Sequence, residues 1–262
     1  MLEGQWKKLH DVGTGHPPVA RLTGGIFNIL PLARLTKAQE DEVKGGCLEV
    51  LNLYLAAEGV GKPLVERIKA VQAQIEADAE TLYRSRVTST PQVERLHEAK
   101  VFLMHGKQLL QRVADILGII FEHKFKGPHF DKVISVVTAQ VGPGHHYTKM
   151  LQVDHDTWIK GLIELRNEDE HPKSGKPFLE NFDLPRLPDG RLNLLPPRFF
   201  SGETVLPVLE TYMQNLFTFA EEAIAHGLET RFPAGYGLLE IPEPKRNPAN
   251  PIRYMAGAVK PY

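Results

Sequence analysis

Apolar residues recur at helical spacing over most of the chain, and short Gly/Pro clusters divide that pattern into segments. Thr36, with Gln39 three residues on, has the form of a capping box, and Val43, Leu48, Leu51 and Leu55 supply the apolar stripe that follows. Gly45-Gly46 should weaken this helix, and Gly59, Gly61 and Pro63 should end it. A second helix is expected from Leu64 to about Arg84, on Leu64, Ile68, Val71, Ile75 and Leu82. Thr90-Pro91 then offers an N-cap and a first-turn proline for the strongest pattern in the chain. That pattern runs through Leu96, Val101, Met104, Leu109, Val113, Ile116, Leu117 and Ile120 to about His123. Shorter helices are expected over His129 to Val141 and, after Gly142-Pro143-Gly144, from His145 to near Glu170. Glu203 to about Gly227 closes the helical series, with Val205, Leu209, Tyr212, Met213, Leu216, Phe217, Ala220 and Ile224 on one face.

The remaining segments lack this period. Residues 1–35 read as irregular, broken by Gly13, Gly15, Pro17, Pro18 and Gly24-Gly25, and Ile26–Leu30 fits either a strand or a buried extended run. Pro172 to Gly202 is a loop with Pro177, Pro185, Pro188, Pro196 and Pro197, longer than loops within compact domains usually are. Residues 228–262 form a tail with two short β-like runs, Tyr236–Ile241 and Ile252–Val259. The expected organisation is mainly α: a helical bundle over 36–227 that contains the 172–202 loop, an irregular N-terminal segment and a small β-like tail.

Composition narrows the partners. Hydrophobic residues make up 42% and charged residues 24% of 262, which is ordinary for a globular chain and argues against disorder. The net charge of −1 supplies no broad positive field, so nucleic acid would have to be met by a local patch. Lys124–Lys126 and Lys245-Arg246 are small basic pairs of the kind common on solvated surface. Cys47 is the single cysteine, so neither an internal disulfide nor a cysteine-based zinc site can form. The polar start and the lack of a membrane-length apolar run predict a cytoplasmic protein with no membrane partner.

The densest chemistry lies in Leu162–Pro172, reading LIELRNEDEHP. Trp158, Leu162 and Leu165 make one face apolar, and Arg166 falls at its margin. A guanidinium there must find a carboxylate, a cleft or another subunit, because a lone buried charge is too costly. Pro172 disfavours the α conformation at His171, so the helix should stop near Glu170 and free the imidazole from helical geometry. The result is either a small catalytic constellation or a structural ion pair beside a helix-ending histidine.

Two other groupings carry less. His145-His146 and Asp154-His155-Asp156 offer metal-binding side chains, but no recognised ligand spacing accompanies them, and a solvated helix start explains them more simply. Gly13-x-Gly15 and Gly24-Gly25 lack the strand-to-helix setting of a phosphate loop. No cofactor is expected.

Arg166, polar Asn167, three further residues and His171-Pro172 at the end of a bundle helix resemble the HEPN superfamily, over a helical frame of about Thr90 to Gly227. The resemblance implies metal-independent endoribonuclease activity of the toxin or defence type, usually from a homodimer, with RNA as substrate and an antitoxin or other protein as partner. Members without activity act as binding or scaffolding modules, which is the alternative. Arg166, Asn167 and His171 are the residues carried over: imidazole to move a proton near neutral pH, guanidinium to steady charge on a phosphate, and the amide to orient either. Glu164, Glu168, Asp169 and Glu170 crowd the same stretch with negative charge, which opposes an RNA backbone.

Overall fold

The computed structural model describes residues 12–78, 90–127, 129–171 and 177–259, and it is mainly helical. The first correction is at the N-terminus, where residues 17–32 are helical rather than irregular or extended. Helix α1 (Pro17–Val19), a π turn (Ala20–Gly25), α2 (Ile26–Ile29) and a 3-10 turn (Leu30–Leu32) follow one another directly. Leu22, Ile26, Ile29 and Leu30 are fully buried, a helical spacing that outweighs Gly24-Gly25.

Helix α3 (Lys37–Ala77) starts at the expected capping box: Thr36 Oγ1 accepts from the Gln39 amide, and Gln39 Oε1 accepts from the Thr36 amide. It then runs unbroken through both glycine pairs and Pro63, where two separate helices were expected. Gly46 and Gly61 are packing notches, whereas a Cβ on Gly45 or Gly59 would meet nothing within 4 Å. A Cβ on Gly46 would lie 2.6 Å from Ile116, and one on Gly61 would lie 3.0 Å from Phe102. Pro63 costs the helix one hydrogen bond, to the Gly59 carbonyl, without ending it. The expected continuation to Arg84 lies outside the described residues beyond Asp78.

Helix α4 (Glu98–Ile120) begins later than the Thr90-Pro91 signal implied. Residues 90–93 instead form no helix: the Asn181 amide takes both backbone groups of Val93, at 3.0 Å each, and Gln92 Nε2 donates to the Phe182 carbonyl. These long-range bonds replace the helix N-cap. Helices α5 (Phe130–Val141) and α6 (His146–Asp154), a π turn (His155–Ile159) and α7 (Lys160–Glu170) follow the sequence pattern closely. The proline-rich stretch doubles back on itself: β1 (Leu179–Glu180) pairs antiparallel with β2 (Arg198–Phe199), and isolated bridges join Asp183 to Leu195 and Arg186 to Leu192. Helix α8 (Val205–Glu229) precedes an antiparallel hairpin of β3 (Tyr236–Glu240) and β4 (Tyr254–Ala258), as the tail pattern anticipated.

The chain forms two units, Met1–Leu51, Arg112–Leu151 and Phe219–Tyr262 in the first, Asn52–Gln111 and Gln152–Thr218 in the second. In the first, Leu22, Val43, Cys47, Ile116, Leu117, Tyr147 and Ile224 are buried, and Phe130 meets Phe219 edge-on at 5.3 Å. Burial pushes the Cys47 thiol up to about 12, so it is a packing group and not a nucleophile. An ion-pair network fastens the hairpin and the N-terminal helices to α8. Arg21 Nε donates to Glu221 Oε2 at 2.8 Å, and Arg253 reaches Glu222 at 2.6 Å and Glu240 at 2.8 Å. In the second unit the core is built on Ile68, Phe102, Leu103, Leu162, Leu165, Leu209 and Leu216. Gly106 admits the Leu162 and Leu216 methyls to 3.1–3.2 Å of where a Cβ would stand, which fixes the α7 apolar face against α4 and α8. No helix among the described residues is long and apolar enough to cross a membrane.

Candidate functional site

The α7 C-terminus lies in the second unit, and its local chemistry follows from helical spacing. Asp169 and Glu170 stand three and four residues after Arg166, on the same face, and both reach the guanidinium. Nη1 is 3.1 Å from Asp169 Oδ2 and Nη2 is 3.0 Å from Glu170 Oε1, with the Arg166 side chain only 15% exposed. The carboxylates are themselves shared. Lys100 Nζ lies 2.6 Å from Asp169 Oδ1, and Lys107 Nζ donates to Glu170 Oε2 and Asn167 Oδ1, both at 2.9 Å. The bond from Lys107, aided by the Arg166 charge, holds the Glu170 carboxyl below its usual range.

His171 leaves the helix at φ −131°, ψ 67°, as its following proline requires, and its amide still donates to the Asn167 carbonyl at 2.9 Å. Its exposed ring, with Glu164, Asn167 and Glu168, lines a groove of about 430 Å³. One carboxylate oxygen of Glu168 is buried without a hydrogen-bond partner among the described residues. The groove therefore presents one imidazole, one amide already engaged by Lys107, and two carboxylates. Arg166 is not among its lining residues; it faces its own acids.

A second cluster was not legible as a unit in the sequence. His146, at the start of α6, meets His226 and Glu229 from the last turn of α8, all in the first unit. His146 Nε2 lies 3.3 Å from His226 Nδ1, which lies 2.9 Å from Glu229 Oε2, and the third edge is 3.6 Å. Burial, then the neighbouring His226 and His145 rings, hold His146 below the usual imidazole range. Burial alone would raise the Glu229 carboxyl, but bonds from His226 and the Leu238 amide outweigh it and keep the group low.

The signal available beforehand was His226-x-x-Glu229, a spacing that puts two donors on one helix face. Asp154 and His155, the other metal-binding side chains that the sequence offers beside His146, are engaged elsewhere. Asp154 Oδ1 accepts from the Trp158 indole at 2.8 Å, and His155 Nδ1 lies 2.9 Å from Asp156. No family profile, curated protein or solved structure matches the chain.

Proposed function

We propose that the chain is a HEPN-like binding module whose α7 end recognises a partner rather than cleaving RNA. One observation carries the reading: the Arg166 guanidinium is held by Asp169 and Glu170, which takes up the charge that an RNA phosphate would need. The groove beside it has acidic walls, Glu164 and Glu168, and suits a cationic partner surface better than a nucleic acid. In this reading Arg166 is part of the fold and His171 is surface. Arg166→Ala should then lower stability by about 1–2 kcal/mol, since among the described residues Asp169 keeps only Lys100 in a partly buried place. His171→Ala should stay within about 0.5 kcal/mol of wild type. Thermal or urea unfolding of both variants decides it, and an Arg166→Ala protein as stable as wild type would argue that the arginine is kept for chemistry.

A second reading, the metal-independent endoribonuclease, is favoured by the opening of Asn167 and the exposed His171 onto the groove. It needs Arg166 released from its acids and, in the usual arrangement of such sites, a second copy of the chain. Two-fold pairing would bring two guanidiniums and two imidazoles together without any further residue. In that case Arg166→Ala and His171→Ala would each cost about 10²-fold or more in cleavage rate.

A further inference from the structure

We propose that His146, His226 and Glu229 form a binding site for a borderline divalent transition ion, of which Zn²⁺ is the type. None of these residues belongs to the α7 end, so the site stands apart from the function proposed above. The distances carry the case. Donor atoms each about 2.05 Å from one tetrahedral ion are about 3.3 Å apart. The three edges here are 3.3, 2.9 and 3.6 Å, so one ion can reach all three atoms with little adjustment.

Hydrogen bonding among the three groups accounts for the cluster less well. His226 Nδ1 faces both His146 Nε2 and Glu229 Oε2, yet it carries at most one proton. If that proton goes to Glu229, the His226 nitrogen offers His146 no acceptor, and the remaining His146–Glu229 contact is 3.6 Å. A cation accepts a lone pair from each atom at once.

The surroundings prepare the same answer. Glu229 Oε1 accepts the Leu238 amide at 2.9 Å, which turns Oε2 toward the imidazoles, as outer-shell bonds do for metal-binding carboxylates. Gly237 allows that approach: a Cβ there would stand 3.3 Å from Oε1. The His226 ring is flanked by Tyr254 at 5.6 Å and Tyr147 at 6.4 Å, and the Tyr147 hydroxyl is tied to the Ala223 carbonyl at 2.8 Å. The cluster also sits at the C-terminal end of the 25-residue α8, where backbone carbonyls favour positive charge.

Two imidazoles and one carboxylate select a borderline ion over Mg²⁺ or Ca²⁺, which prefer oxygen ligands throughout. The His146 side chain is 57% exposed, so a fourth position opens to solvent for water or an anionic ligand oxygen. Three protein ligands with an open fourth place are the layout of reactive zinc sites and not of closed structural ones.

The test uses the untagged full chain, stripped with chelator and then titrated with Co²⁺ and followed by its visible absorption. One Co²⁺ per chain should bind with the strong absorption of a low-coordinate site. One equivalent of Zn²⁺ should bleach it, and excess Mg²⁺ should not. His146→Ala, at an exposed position that leaves the fold intact, and Glu229→Gln should each weaken binding by about 100-fold or more, at least as much as loss of an outer-shell partner does. His171→Ala should leave it unchanged. Absence of saturable absorption in the wild type would overturn the proposal. So would binding that survives both ligand substitutions, or binding that disappears with His171→Ala.

Discussion

Glu221→Ala is expected to lose about 3–5 kcal/mol of folding stability, the cost of breaking a buried ion pair from one side. Glu221 is 1% exposed and accepts both Nε and Nη2 of Arg21, with Arg253 Nη1 at 3.7 Å. Truncation removes the acceptor and leaves a void where α1–α2, α8 and the hairpin strands join. Glu221→Gln should cost less than half as much. Burial pushes the Glu221 carboxyl up by more than the two guanidiniums pull it down, so its charge is itself expensive there. The amide keeps an oxygen for Arg21 to donate to. Urea unfolding of the two variants beside wild type measures the difference, and equal losses would mean that charge, and not the acceptor and the filled volume, holds this corner.

The adjacent glycines of α3 should respond to alanine with opposite sign. A Cβ at Gly45 meets nothing within 4 Å, so Gly45→Ala should stabilise the protein by about 0.5–1 kcal/mol through helix propensity and a less free unfolded chain. Gly46 faces Ile116, whose Cγ1 would be 2.6 Å from the new methyl and whose side chain is 1% exposed. A β-branched group in a filled core has few rotamers to retreat into, so Gly46→Ala should cost about 1–3 kcal/mol. Melting curves of the two single variants give the comparison. A shift in the same direction for both would show that the glycines act on the backbone alone.

These residues also show what the sequence could and could not convey. The helical stripes of α5, α6–α7 and α8 keep their apolar period over the whole element, so that period alone placed them within a few residues. The tail runs became β3 and β4 for the same reason. Gly45-Gly46, Gly61 and Pro63 misled because glycine in a helix is read as weakness when the partner helix is unknown. Only the nearness of Ile116 and Phe102 reveals a close approach. The Thr90-Pro91 signal was locally sound, but Asn181, some ninety residues away, claims the Val93 backbone first. Tertiary partners overrode local propensity at each of these points.

At the α7 end the sequence carried the helix stop at Pro172 and the proximity of Arg166 to Asp169 and Glu170, since both depend on spacing within one turn. The roles of Lys100 and Lys107, which share those acids from α4, depend on packing and were out of reach. The His146 cluster was hidden for the same reason: His226-x-x-Glu229 is visible as a spacing, but its third member lies eighty residues earlier.

The most direct test of the α7 reading is incubation of the purified chain with mixed RNA in excess chelator, with the products' ends examined. A module with Arg166 held by its own carboxylates should leave the RNA intact at enzyme-like concentrations. Cleavage that persists in chelator, leaves cyclic phosphate ends and is lost in both Arg166→Ala and His171→Ala would contradict it and establish the ribonuclease.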